Sequence, residues 1–177
     1  MYNKNLNKMN KETLRMQMLA GIITESQYKS QLNELAGPPQ NWMEIAKPYF
    51  NNAELSVIEN PSITFRPKAD VGEKGPQLGY TFGFGDKASG ANIIFYPYAN
   101  TQEKKFQISL NKMDKAKAAE LAKKLAPEII KAVSTSLLKD PSAYTSGAGY
   151  EKSATPEEAK QAIEFFTAAL QGEPKEI

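Results

Sequence analysis

Apolar and polar positions alternate most regularly between Leu78 and Leu110, and the rest of the fold is read outward from there. Tyr80, Phe82 and Phe84 alternate with Thr81 and Gly83, the period of two that puts an aromatic row on one face of a sheet. The run ends in the turn formers Gly85-Asp86-Lys87-Ala88-Ser89-Gly90 and restarts as Ile93-Ile94-Phe95-Tyr96-Pro97-Tyr98, which predicts a hairpin. After the polar Asn100–Glu103 stretch, Phe106, Ile108 and Leu110 alternate with Gln107 and Ser109, giving a third strand with one buried and one wet face. Upstream, Leu55, Val57 and Ile58 predict a strand that ends at Asn60-Pro61. Ile63 and Phe65 predict another, which Pro67 confines to an edge or an end. Residues 68–77 read as a loop.

Helical spacing takes over on both flanks. Leu14, Met18 and Leu19 predict a short helix closed by Gly21, and Thr24-Glu25-Ser26-Gln27 has the form of a capping box opening a second. Tyr28, Leu32 and Leu35 line the face of that second helix, and Gly37-Pro38-Pro39 stops it. Gln40–Asn52 predicts a short or kinked helix interrupted at Pro48, with Trp42 as a core anchor. The longest helix is expected to begin at Asn111. Ala118, Leu121, Ala122, Leu125, Ile129, Val133 and Leu137 form its apolar stripe, and Pro127 kinks or splits it. Residues 141–154 read as a surface loop or linker. Thr155-Pro156-Glu157-Glu158 then caps a last helix burying Ala159, Ala162, Ile163, Phe166 and Leu170.

The order helices, strands, helices predicts an α+β fold: an antiparallel sheet of about five strands, a β-meander, covered by helices, with an N-terminal helical hairpin. The chain divides into an arm and helical hairpin over residues 1–39, an α+β core over 40–140, and a linker with a C-terminal helix packing on the core over 141–177.

At 177 residues with 41% hydrophobic content, there is material for one well-buried core. The chain has neither Cys nor His, which removes disulfides, thiolate catalysis, Cys/His zinc sites and imidazole-based mechanisms. Net charge is +2 overall, yet residues 101–139 carry nine Lys against four acids and residues 140–177 seven acids against three Lys. That asymmetry fits either mutual packing or opposite partners. No stretch resembles a signal peptide or a membrane span, so a cytoplasmic or virion location without membrane contact is expected.

Candidate chemistry is sparse. Gly83-x-Gly85 with Gly90 would serve a phosphate only if it opened a helix, and here it belongs to a hairpin. The acid pairs Glu157/Glu158 and Asp70/Glu73 fall in turns or a first helical turn, and no calcium-loop spacing occurs. No catalytic, cofactor or metal site is expected. Lys117, Lys124 and Lys131 recur every seven residues on one helix flank. With Lys112, Lys104 and Lys105 they could contact phosphates, or form an ordinary solvated face in which Glu120 pairs with Lys124. Tyr96 and Tyr98 stand opposite Phe95, so a Tyr-bearing patch is left exposed if helices cover only one face.

The segment Leu14–Leu35, LRMQMLAGIITESQYKSQLNEL, resembles the SHOCT type of short helical module at Gly21, Ile22, Ile23, Thr24, Glu25 and Tyr28. It is also similar to N-terminal segments of virion-associated proteins of tailed bacteriophages. The resemblance implies oligomerisation or docking through Leu14, Met18, Ile22, Ile23, Tyr28 and Leu32. The expected function is therefore a non-enzymatic structural or interaction protein in a homo- or hetero-oligomeric assembly, in its specific form a virion component of a tailed bacteriophage. Nucleic-acid binding through the Lys-rich helix 112–131 is the alternative.

Overall fold

The structure is a computed structural model that describes residues 16, 19–20, 40–50, 54–68, 72–145 and 154–177. Its centre is a five-stranded sheet in the order β1-β2-β3-β4-β5: β1 Leu55–Arg66, β2 Gln77–Asp86, β3 Asn92–Ala99, β4 Lys104–Asn111 and β5 Lys175–Glu176. The first four strands pair antiparallel, and β5 lies parallel to β4. Among the described residues the helices that join them are α1 Gln40–Ala46, α2 Lys115–Lys139 and α3 Pro156–Leu170. Helix α3 lies on β2, β3 and β4, and α2 packs on α3 and α1.

The period-two rows give the core directly. Leu78, Tyr80, Phe82 and Phe84 of β2 face the helices with Ile93 and Phe95 of β3 and Phe106 and Ile108 of β4. Phe82 and Phe95 are cross-strand partners whose rings stack with centroids 4.5 Å apart and planes 6° apart. Trp42 of α1 closes over this row, 4.9 Å from Phe82 and 6.2 Å from Tyr80, with no surface exposed. The predicted stripe of α2 is buried throughout. On α3, Ala159, Ala162, Phe166 and Leu170 are buried, while Ile163 is only half-buried and Ala169 joins the buried set.

The α+β class and the strand number agree with the sequence reading, but the strands are drawn differently. Leu55–Ile58 and Ile63–Phe65 belong to one strand, which runs through Asn60-Pro61 with register shifts between Val57 and Glu59 and between Glu59 and Ser62. Because β1 is an edge strand, Pro61 need not donate to a neighbour, and the irregularities absorb its fixed φ. The fifth strand comes instead from the C-terminal residues, where the Ile177 amide also donates to the Ile108 carbonyl at 3.0 Å.

One helix end also differs, that at the start of α2. Asn111 is the last residue of β4, and Lys112 takes φ 51°, a left-handed conformation no helix continues. The cap is Asp114, whose carboxylate accepts from the Lys117 amide at 2.9 Å. Pro127 lies inside one continuous helix: it removes the hydrogen bond to the Lys123 carbonyl, but the buried stripe runs on either side of it. The capping box of α3 forms as expected, the Thr155 hydroxyl accepting from the Glu158 amide at 3.2 Å while Glu158 returns to the Thr155 amide at 3.2 Å.

Candidate functional site

Helices α1, α2 and α3 lie on one side of the sheet. The other face carries Thr64 and Arg66 of β1, Gln77, Gly79 and Thr81 of β2, Tyr96 and Tyr98 of β3, and Gln107 of β4. These residues line an open trough of about 430 Å³. Tyr96 and Tyr98 thus stand on the predicted outward face, both half-buried.

A break in the hydrogen-bond ladder lies beneath the trough. Between β2 and β3, Gly79 pairs with Tyr98 and Phe82 with Phe95, but pairing lapses in between, where Tyr80-Thr81 face Tyr96-Pro97. In this register the Pro97 position should donate to the Tyr80 carbonyl, and proline has no N–H to give. Tyr80 and Pro97 turn their side chains to the other face, yet both line the trough where this ladder pairing lapses.

Tyr98 is fixed from below. Asn100, almost completely buried, accepts from the amides of Gln102 at 2.8 Å and Glu103 at 2.7 Å, and its Nδ2 donates to the Tyr98 hydroxyl at 3.0 Å. The turn that joins β3 to β4 therefore also orients one wall of the trough.

Three glycines of β2 lie on this face, and they differ. A Cβ on Gly83 would come within 3.0 Å of the Ile93 carbonyl oxygen and 3.1 Å of Ile94 Cγ1. One on Gly85 would meet Ile58 Cγ2 at 2.7 Å. One on Gly79 would only touch Tyr98 Cδ2 at 3.7 Å and Thr64 Cβ at 3.9 Å, ordinary contact distances. Gly83→Ala is expected to lower stability by about 1–3 kcal/mol because backbone must move. Gly79→Ala is expected to be neutral or stabilising, since it restricts the unfolded chain without a clash. Denaturant midpoints of the two variants check this; equal losses would contradict it.

The loop Asp86–Ala91 is a hairpin turn. The Asp86 carboxylate accepts from the Ser89 hydroxyl at 2.6 Å and from the Ala88 and Ser89 amides at 3.0 and 3.3 Å. These donors, the hydroxyl first, hold its pKa below the ordinary carboxylate value. Glu158 is occupied by the capping box and by the Lys68 amide at 2.9 Å, while Asp70 lies outside the described residues.

The six candidate lysines do not converge. Lys104 stands over the Phe165 ring, 5.9 Å from its centroid, and Lys105 pairs with Glu103 at 3.2 Å. Lys112 donates to the Ser89 carbonyl at 3.3 Å. Lys124 pairs with Glu120 at 3.2 Å and lies 5.1 Å from the Tyr49 ring centroid, while the Tyr49 hydroxyl donates to Glu120 at 2.8 Å. Lys124 is accordingly raised, by Tyr49 first and then Glu120, and Glu120 is lowered, by Tyr49 first and then Lys124. Lys117 is exposed, and Lys131 lines a second hollow of about 360 Å³ beside Asn41, Trp42 and Glu128. Two further lysines of α2 bind the acidic C-terminal stretch, Lys115 to Glu176 and Lys123 to Glu173, each at 2.7 Å. The charge asymmetry of the sequence thus includes mutual packing, though pairs this exposed add little stability.

Of the hairpin residues, Leu14, Met18, Ile22, Ile23, Tyr28 and Leu32 all lie outside the described residues. The predicted first helix is touched only where the Ala20 amide donates to the Met16 carbonyl at 2.8 Å, one helical turn. Among the described residues no helix is long and apolar enough to cross a membrane.

Fold and site together define an α+β protein whose mixed sheet is helix-covered on one face and hollowed on the other. Comparison with protein-family models, curated proteins and solved structures gives no match to this chain.

Proposed function

We propose that this chain is a non-enzymatic structural or interaction protein that works through protein contacts inside a homo- or hetero-oligomeric assembly. The observation that carries the reading is the face of the sheet that α1, α2 and α3 leave uncovered, with Tyr96 and Tyr98 standing on it. Aromatic side chains with a polar handle are enriched where proteins meet. The specific form, a virion component of a tailed bacteriophage, draws on the likeness of residues 14–35 alone. Nucleic-acid binding by the Lys-rich helix draws less support, because Lys115, Lys123 and Lys124 are occupied by acids of the same chain.

The test is a photo-crosslinking aromatic residue placed at position 96 of the full chain within its native assembly. Crosslinks to a second polypeptide, another copy included, are expected. Crosslinks confined to residues 1–39 of the same chain would overturn the reading, because the face would then be internal. Deleting residues 1–37 is expected to leave a folded monomer that no longer assembles, measured by light scattering; unchanged association would count against a docking role for the hairpin.

A further inference from the structure

We propose that the trough over Gly79 binds a peptide segment of a partner protein that brings one Asp or Glu carboxylate to Arg66. This rests on the open face being a protein contact surface, and it names the chemistry of what lies there.

Three features of the trough point to a ligand. Gly79 is the first. Its φ lies outside the left-handed region and a Cβ would meet nothing closer than 3.7 Å, so neither backbone nor packing demands glycine. Glycine inside a strand is unfavourable, and here its only structural consequence is depth. The second is the Tyr80 carbonyl, left without a ladder donor opposite Pro97, in a residue that lines the same trough. A ladder acceptor that lacks its donor is available to an N–H or O–H from outside the sheet. The third is Tyr98, held by Asn100, so that this wall is ordered before anything binds and little entropy is lost on binding.

Charge selects the ligand. Among the described residues, Arg66 is the one ionised side chain lining the trough, no acid lines it, and none gives Arg66 an ion pair. A guanidinium presents a planar fork that matches a carboxylate. Thr81 and Gln107 add neutral donors and acceptors suited to a peptide backbone. Single-stranded nucleic acid would set a phosphate at every nucleotide against this single guanidinium, since nearby Lys105 is engaged by Glu103.

The test titrates the full isotope-labelled chain with the blocked peptide acetyl-Ala-Ser-Glu-Ser-Ala-amide, following backbone amide resonances. Saturable shifts at Thr81, Tyr96 and Tyr98 are expected, with a Kd on the order of 1 mM. Gln in place of Glu in the peptide should weaken binding roughly tenfold, the effect of losing a charge-assisted pair. Arg66→Gln should abolish that difference. Gly79→Ala should weaken binding by about fivefold or more while its thermal midpoint stays unchanged or rises. Absence of saturable shifts, equal affinity for the two peptides, or full binding by Gly79→Ala would each overturn the proposal. Octathymidylate binding more tightly than the peptide would overturn it in favour of nucleic acid. If position 96 crosslinks to a partner while the peptide fails, the contact surface stands and the acidic-peptide assignment falls. If position 96 reaches only residues 1–39, the contact surface itself is what failed.

Discussion

Trp42→Ala is expected to cost about 3–5 kcal/mol, a large part of the roughly 5–15 kcal/mol that holds a domain together. The indole is fully buried against Phe82 and Tyr80, and truncation leaves a cavity that the stacked Phe82–Phe95 pair cannot fill without breaking its own contacts. The loss also reaches α1. A helix of seven residues is far below the length that is stable in water, so it stays folded only through what it buries, chiefly Trp42 and Ala46. Trp42→Phe, which keeps an aromatic ring in the site, should lose less than half as much. Urea denaturation followed by circular dichroism measures both, since the only Trp is itself replaced; a loss below about 1 kcal/mol for Trp42→Ala would show that it is not the anchor.

Stability is expected to fall steeply above pH 10, and Tyr80→Phe to flatten that fall. Burial, with a smaller contribution from the neighbouring Tyr144, pushes the Tyr80 hydroxyl well above its ordinary pKa of 10.0. The folded state therefore keeps a proton that the unfolded chain gives up, so the unfolded state binds fewer protons and stability declines as pH rises. The contribution is intact below the unfolded pKa and is lost progressively above it, at up to about 1.4 kcal/mol per pH unit. Tyr144 is raised too, mainly by burial, so a residual slope should persist in the variant. Near neutral pH, Tyr80→Phe should lie within about 1 kcal/mol of the parent, because no described residue hydrogen-bonds the Tyr80 hydroxyl. Denaturant midpoints between pH 8 and 11 decide the matter, and parallel curves for the two proteins would refute the assignment.

Much of the fold is legible in local pattern. The alternation of Tyr80, Phe82 and Phe84, the stripe from Ala118 to Leu137 and the Thr155–Glu158 box each state a face or an end within a few residues, and each stands as read. The errors arise where a local signal meets a tertiary circumstance. Pro61 reads as a strand end, yet at a sheet edge its missing donor costs nothing. Lys175-Glu176 is too short to show periodicity, and it becomes a strand only because β4 offers it a free edge. Asn111 looks like a cap, but β4 claims it, and Asp114 caps instead.

The candidate site was half legible. Alternation puts Tyr96 and Tyr98 on the face opposite Phe95, and the structure agrees. Arg66, Gly79, Gln107 and the gap at Pro97 were missed. Arg66 reads as a strand-end charge and Gly79 as one glycine among several; only the cross-strand register makes them neighbours of Tyr98. Pro97 inside a run of β-formers was the available signal, because a proline in a strand paired on both sides must leave an acceptor opposite it. The basic helix shows the converse. Its lysines share a flank in sequence, while pairing with Glu173 and Glu176 across the fold occupies two of their neighbours.

The sequence by itself determined which residues face inward and where most elements stop, because side-chain period, caps and turn formers act over a few residues. Only the tertiary structure decided which face of the sheet α1, α2 and α3 leave uncovered, which glycine is free of packing demands and which carbonyl Pro97 leaves without a donor. Those depend on register between strands and on the placement of helices, contacts between residues far apart in the chain that no local pattern encodes.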